Sequence, residues 1–146
     1  MKQDKYTPMA VILWVSVMCI VHIVLFRAKV DMDIPIVQRM LFVLAAIVVT
    51  FPLHELIHFL FMKMFRMENA RIEKARDPLG LPALRAAAEG EISKGKRRII
   101  LLAPLIMMTV IPDMIFCFTD HVALIFVIIA VCNAAGCCFD VLAALR

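Results

Sequence analysis

Four apolar stretches, residues 9–26, 36–61, 99–118 and 122–145, leave this chain few ways to fold, because each is long enough to cross a hydrocarbon core of about 30 Å. In such a core every backbone N–H and C=O must find a partner inside the protein, which a helix does within its own length. The pattern predicts an all-α polytopic membrane protein: one domain over residues 1–146, about four transmembrane helices and one polar loop at about 62–98. A content of 64% hydrophobic residues and a mean hydropathy of +0.93 exclude an ordinary soluble domain. The first stretch follows Lys2 and Lys5 as a secretory leader would. It has no small-x-small cleavage site and runs into Arg27 and Lys29, so it reads as a retained span.

The basic residues set an expected orientation. With the N-terminus in the cytoplasm, thirteen Lys and Arg lie on that side and three, Arg27, Lys29 and Arg39, lie outside. Both termini and the 62–98 loop are then cytoplasmic, in a multi-pass protein of the cell membrane. The net charge of +4 follows from this arrangement and from attraction to anionic lipid, and no nucleic-acid motif accompanies it. The five cysteines, Cys19, Cys117, Cys132, Cys137 and Cys138, all fall in the spans and read as packing residues rather than as a disulfide framework.

Within the second span stands His54-Glu55-Leu56-Ile57-His58. Positions four apart share a helix face, so His54 and His58 can offer imidazole nitrogens to one metal ion, with Glu55 beside a metal-activated water. On a soluble helix the cluster would pass as an exposed polar face. In an apolar span it is costly to bury and points to function. Pro52, two residues earlier, removes the hydrogen bond to the Val48 carbonyl and predicts a kink that re-aims the ligands or admits water, unless it is an ordinary tolerated membrane proline.

A second polar face lies in the fourth span, Asn133-Ala134-Ala135-Gly136-Cys137-Cys138-Phe139-Asp140. Asn133 and Asp140, two helical turns apart, look the same way, and Gly136 between them predicts a close helix approach. Counting about 1.5 Å per residue from the cytoplasmic ends, Asp140 reaches nearly the depth of His54 and His58. A catalytic zinc needs three protein ligands and one open position, which His54, His58 and Asp140 provide near the cytoplasmic face. The competing arrangement pairs Asp140 with Arg146.

The rest of the chain reads as support. His22 has no partner visible in the sequence and reads as a hydrogen-bonded core histidine. Asp113 reads as a polar group near the outer interface, and Asp120 and His121 as a solvated turn. Asp77-Pro78-Leu79-Gly80 is a turn signal. Residues 81–89 predict a short interfacial helix ended by Gly90; a strand that receives substrate by strand addition is the other reading, which periodicity does not establish.

HELIH, NAAGCCFD and the basic-to-apolar run EISKGKRRIILLAPL together give a resemblance over about residues 41–146. The chain resembles site-2-type intramembrane zinc metalloproteases and, more closely, a small bacterial membrane family of zincin peptidases. That resemblance implies Zn2+ held by His54, His58 and Asp140, water activation by Glu55, and Asn133 steadying the oxyanion. The expected activity is hydrolysis of peptide bonds in a membrane-protein or peptide substrate, with the lipid bilayer as the other partner. The alternative is a catalytically silent membrane protein with a structural zinc or a partner-helix-binding role.

Overall fold

The computed structural model describes residues 7–26, 34–76, 82–119 and 123–145. The expected connector at 27–33, the turn at 77–80, the Asp120–His121 turn and Arg146 lie outside the described residues. Helix α1 covers Thr7–Phe26 and α2 covers Ile36–Met64. A hairpin follows, β1 at Glu68–Arg76 and β2 at Pro82–Glu89. The chain continues through α3 at Lys94–Leu105, a π-helical segment at Ile106–Val110, α4 at Ile111–Cys117, α5 at Leu124–Gly136 and α6 at Cys138–Leu145.

Among the described residues, two helical stretches are long and apolar enough to cross a membrane, Ile36–Met64 and Lys94–Cys117. The last expected span is a bent pair, α5 and α6, which meet at 42° and make a third candidate if taken together. Within α1, the apolar stretch Ile12–Phe26 is among the shorter apolar helices of the described residues. Ile12, Leu13, Ile20 and Ile23 on α1 and Met40, Leu41, Leu44 and Val48 on α2 are exposed, a surface consistent with a membrane protein.

Helix α2 is the element the others gather on, touching α3, α5 and both strands. Its buried residues are Ala46, Thr50, His54 and His58, a four-residue spacing that makes one stripe. Pro52 sits on the exposed side of α2, which runs as one helix from Ile36 to Met64. The helix is continuous through the proline. At its end the Met67 N–H donates to Met62 O at 3.0 Å and the Arg66 N–H to Lys63 O at 2.9 Å, with Arg66 at φ 56°. This is a left-handed helix stop that turns the chain straight into β1.

The hairpin corrects the expected interfacial helix over 81–89. The stretch PALRAAAE is rich in helix formers, yet it pairs antiparallel with β1, Ile72 opposite Ala86 and Lys74 opposite Leu84. Tertiary contact overrides propensity here: Ala70 and Ala86 are buried, and the small side chains let the hairpin lie close on α2. An extra β1 residue between Glu68 and Arg71 makes a bulge, which Asn69 accommodates at φ 50°. Asn69 Nδ2 and Arg71 then hold the Glu89 carboxylate at 2.8 and 3.1 Å and keep its pKa below the ordinary glutamate value. Gly90, at φ +91°, does end the element, although that element is a strand.

The expectation for Gly136 is corrected as well. A Cβ added to Gly136 would meet no atom within 4 Å, so this glycine does not mediate a close helix approach; it ends α5 before the bend. His22 is the hydrogen-bonded core histidine expected, 2% exposed with Nδ1 2.8 Å from Met18 O, and Asp113 supplies the contact that the sequence left unseen. His22 Nε2 lies 3.1 Å from Asp113 Oδ2, with side-chain exposures of 1% and 18%, so the pair joins α1 to α4 inside the protein.

Candidate metal centre

The site forms where the stripe of α2 meets the bend between α5 and α6. His54 and His58 are 8% and 6% exposed, one turn apart on α2. Their Nε2 atoms lie 3.1 Å from each other. Asp140 Oδ2 lies 3.0 Å from His54 Nε2 and 3.3 Å from His58 Nε2. Three ligand-type atoms from two separate elements thus meet within little more than one atomic diameter.

The backs of both rings are tied down. His58 Nδ1 lies 2.9 Å from Ile100 O on α3. A carbonyl oxygen only accepts, so Nδ1 carries a proton and, in the neutral ring that binds a metal, Nε2 keeps its lone pair. His54 Nδ1 lies 3.0 Å from Asn133 Oδ1, and the same reasoning leaves its Nε2 as an acceptor. The three converging atoms are therefore two imidazole lone pairs and a carboxylate oxygen, with no hydrogen of their own to share. A cation satisfies all three together. Edges of a zinc tetrahedron with bonds of about 2.0–2.1 Å are about 3.3 Å, close to the spacings present. The donor set and its dimensions fit zinc, and the partial exposure of Asp140, 20% of its side chain, leaves a way for a fourth ligand.

Asn133 and Asp140 share one side of the last span, as the seven-residue spacing suggests, and grip opposite edges of the same imidazole. On a straight helix their Cα atoms would be about 10 Å apart, and the 42° bend at Cys137 lets both side chains close on His54. Trp14 on α1 donates its indole N–H to Ala134 O at 2.6 Å, next to this bend. Cys137 is fully buried, with Sγ 3.9 Å from His54 Nδ1, and packs against the ring rather than reaching the Nε2 side. Arg98 Nε donates to Ala144 O at 2.9 Å and ties α3 to the end of α6. Asp140 is engaged by the two histidines.

Glu55 faces the hairpin. Its Oε2 accepts the Ala86 N–H from β2 at 2.7 Å, a contact that connects the side chain beside the ligands to the strand lying over α2. The Ala86 contact, the Ile100 carbonyl and the Trp14 contact escape sequence reasoning, since each joins residues at least 31 positions apart. The signal that could have flagged one of them is Pro104, whose missing N–H leaves Ile100 O without its usual donor.

Searches of curated proteins and of solved structures return no match to the chain. A family described as putative zincin peptidase matches residues 47–146, a stretch holding both histidines, Glu55, the hairpin and Asp140. His54, His58 and Asp140 form a cluster that could hold a metal ion, and by the extent of the match this chain belongs to the putative zincin peptidase family.

Proposed function

We propose that the chain is an intramembrane zinc endopeptidase in which His54, His58 and Asp140 hold the metal and Glu55 is the general base. The observation that carries this reading is the convergence of two Nε2 lone pairs and a carboxylate oxygen at 3.0–3.3 Å on an apolar helix bundle. Zinc bound there supplies a water with its pKa lowered toward about 7 and polarisation of the scissile carbonyl. Glu55 takes the water proton and delivers it to the leaving amine. Its Oε2 is held by Ala86 N–H, which leaves Oε1 free to meet the water. The substrate is a membrane-associated polypeptide whose backbone must be extended to react. A two-stranded hairpin with unpaired edges over α2 can take such a segment by strand addition.

The test follows cleavage of a model transmembrane substrate by reconstituted wild type and Glu55→Gln. Cleavage by wild type alone, with equal zinc in both, supports the mechanism. Equal cleavage by both removes Glu55 from it. No cleavage by zinc-loaded wild type across a panel of transmembrane and peptide substrates favours the structural-zinc alternative.

A further inference from the structure

The orientation of both histidine rings leads back to one residue on α3. Pro104 has no N–H, so the Ile100 carbonyl, four residues earlier, lacks its helical donor and accepts instead from His58 Nδ1 at 2.9 Å. Pro104 also contributes its own carbonyl, which accepts from Asn133 Nδ2 at 2.9 Å. The second Nδ2 hydrogen goes to Thr109 Oγ1 at 2.9 Å, and the Thr109 hydroxyl donates onward to Ala130 O at 3.1 Å. Because Pro104 O can only accept, the Asn133 amide has one satisfied orientation: Nδ2 toward Pro104 and Oδ1 toward His54 Nδ1. That oxygen can only accept, so His54 Nδ1 is the protonated nitrogen. Asn133 is 1% exposed, and Pro104, Thr109 and Ala130 are buried with it. Thr109 belongs to the π-helical segment just after Pro104, the irregular turn that brings its hydroxyl to the amide.

We propose that Pro104 and Asn133 are positioning residues that together fix the tautomers of both metal-ligand histidines, Pro104 through its missing N–H and its carbonyl, Asn133 through its amide. This rests on the zinc-site reading and gives Asn133 a different task from the oxyanion contact that the resemblance implies. Both Nδ2 hydrogens are already taken, and the amide lies behind His54, on the Nδ1 side of the ring. Support of this kind typically changes metal affinity by 10–100-fold, whereas removing an oxyanion donor lowers kcat by about 10²–10³ with the metal retained.

The experiment uses the full chain in detergent and measures the zinc Kd by chelator competition for wild type, Asn133→Leu and Pro104→Ala. Activity at saturating zinc and ¹⁵N imidazole spectra of the zinc-loaded proteins are recorded in parallel. Asn133→Leu is expected to raise the zinc Kd about 10–100-fold, to lose the protected Nδ1–H signal of His54 alone, and to recover most activity when zinc is saturating. Pro104→Ala restores a helical N–H that competes for Ile100 O. It is expected to raise the Kd by less, about 10-fold, with the signal change centred on His58. Should Asn133→Leu fail to fold, Pro104→Ala carries the test, because it shortens a side chain and adds a helical hydrogen bond. Unchanged zinc Kd in both variants, with kcat lost in Asn133→Leu, overturns the proposal in favour of the oxyanion role. Zinc bound through Nδ1 in wild type overturns it as well. A wild type that binds no zinc overturns the underlying metal-centre reading, an outcome distinct from either of these.

Discussion

Among the described residues, histidine and aspartate meet in two clusters at nearly equal distances, and they are built for different ends. His22 Nε2 meets Asp113 Oδ2 at 3.1 Å, and His54 Nε2 meets Asp140 Oδ2 at 3.0 Å. In the first, His22 Nδ1 donates to Met18 O in its own helix at 2.8 Å, and Nε2 faces a single carboxylate as an ion-pair contact at 3.1 Å without hydrogen-bond geometry. In the second, His58 adds a third acceptor, and one proton cannot serve all three. The first pair is a clip between α1 and α4; the second has the donors to hold a cation. A buried carboxylate beside a histidine is therefore not by itself a metal signature. The count of converging lone pairs, and the bonds that fix them from behind, decide it.

The sharpest way to break this distinction is to remove the aspartate from each cluster. Asp140→Ala is expected to weaken zinc binding by more than the roughly 100-fold seen when a supporting residue is lost, and to abolish proteolysis; chelator competition reads the first directly. Asp113→Ala is expected to leave zinc stoichiometry and affinity at wild-type values while lowering resistance to unfolding. Next in size is the clip itself. Removing either partner leaves a buried polar group uncompensated, at a cost of about 1–3 kcal/mol, whereas the double variant His22→Leu with Asp113→Leu should regain much of the loss. Detergent-titrated unfolding measures this, and additive single effects would show that the two residues do not interact.

Trp14→Phe is expected to have a smaller effect, about 1 kcal/mol, by deleting the indole donor to Ala134 O beside the bend. Its zinc affinity should fall only slightly, since Asn133 and Asp140 remain. The smallest effect concerns the exposed hairpin. Glu89 is held below its ordinary pKa by Asn69 first and Arg71 second. Its support is therefore complete above the ordinary glutamate value and fades as pH drops through the lowered one. Backbone amide shifts of the hairpin should follow that acidic transition in wild type and lose it in Glu89→Gln.

What could be read in the sequence was local. HELIH places two imidazoles and a carboxylate on one helix because a spacing of four is a property of the helix itself. Asp140 was reachable by counting depth along a second span. The hairpin was open only as the second reading, because PALRAAAE has alanines suited to a helix, and its strand form depends on β1 and on the surface of α2. Nor could the seven-residue spacing of Asn133 and Asp140 reveal the break at Cys137, which lets them take opposite edges of one ring. His22 and Asp113 stand 91 positions apart, and nothing in either neighbourhood names the other.

The central claim is that His54, His58 and Asp140 hold one zinc ion, and metal content tests it most directly. Zinc per protein is measured in purified, detergent-solubilised wild type, Glu55→Gln and Asp140→Ala, after reconstitution with zinc and removal of the excess. One zinc in wild type and in Glu55→Gln, with reduced occupancy in Asp140→Ala, is the predicted result. Folded wild type without zinc, or Asp140→Ala that retains zinc at wild-type affinity, would contradict it.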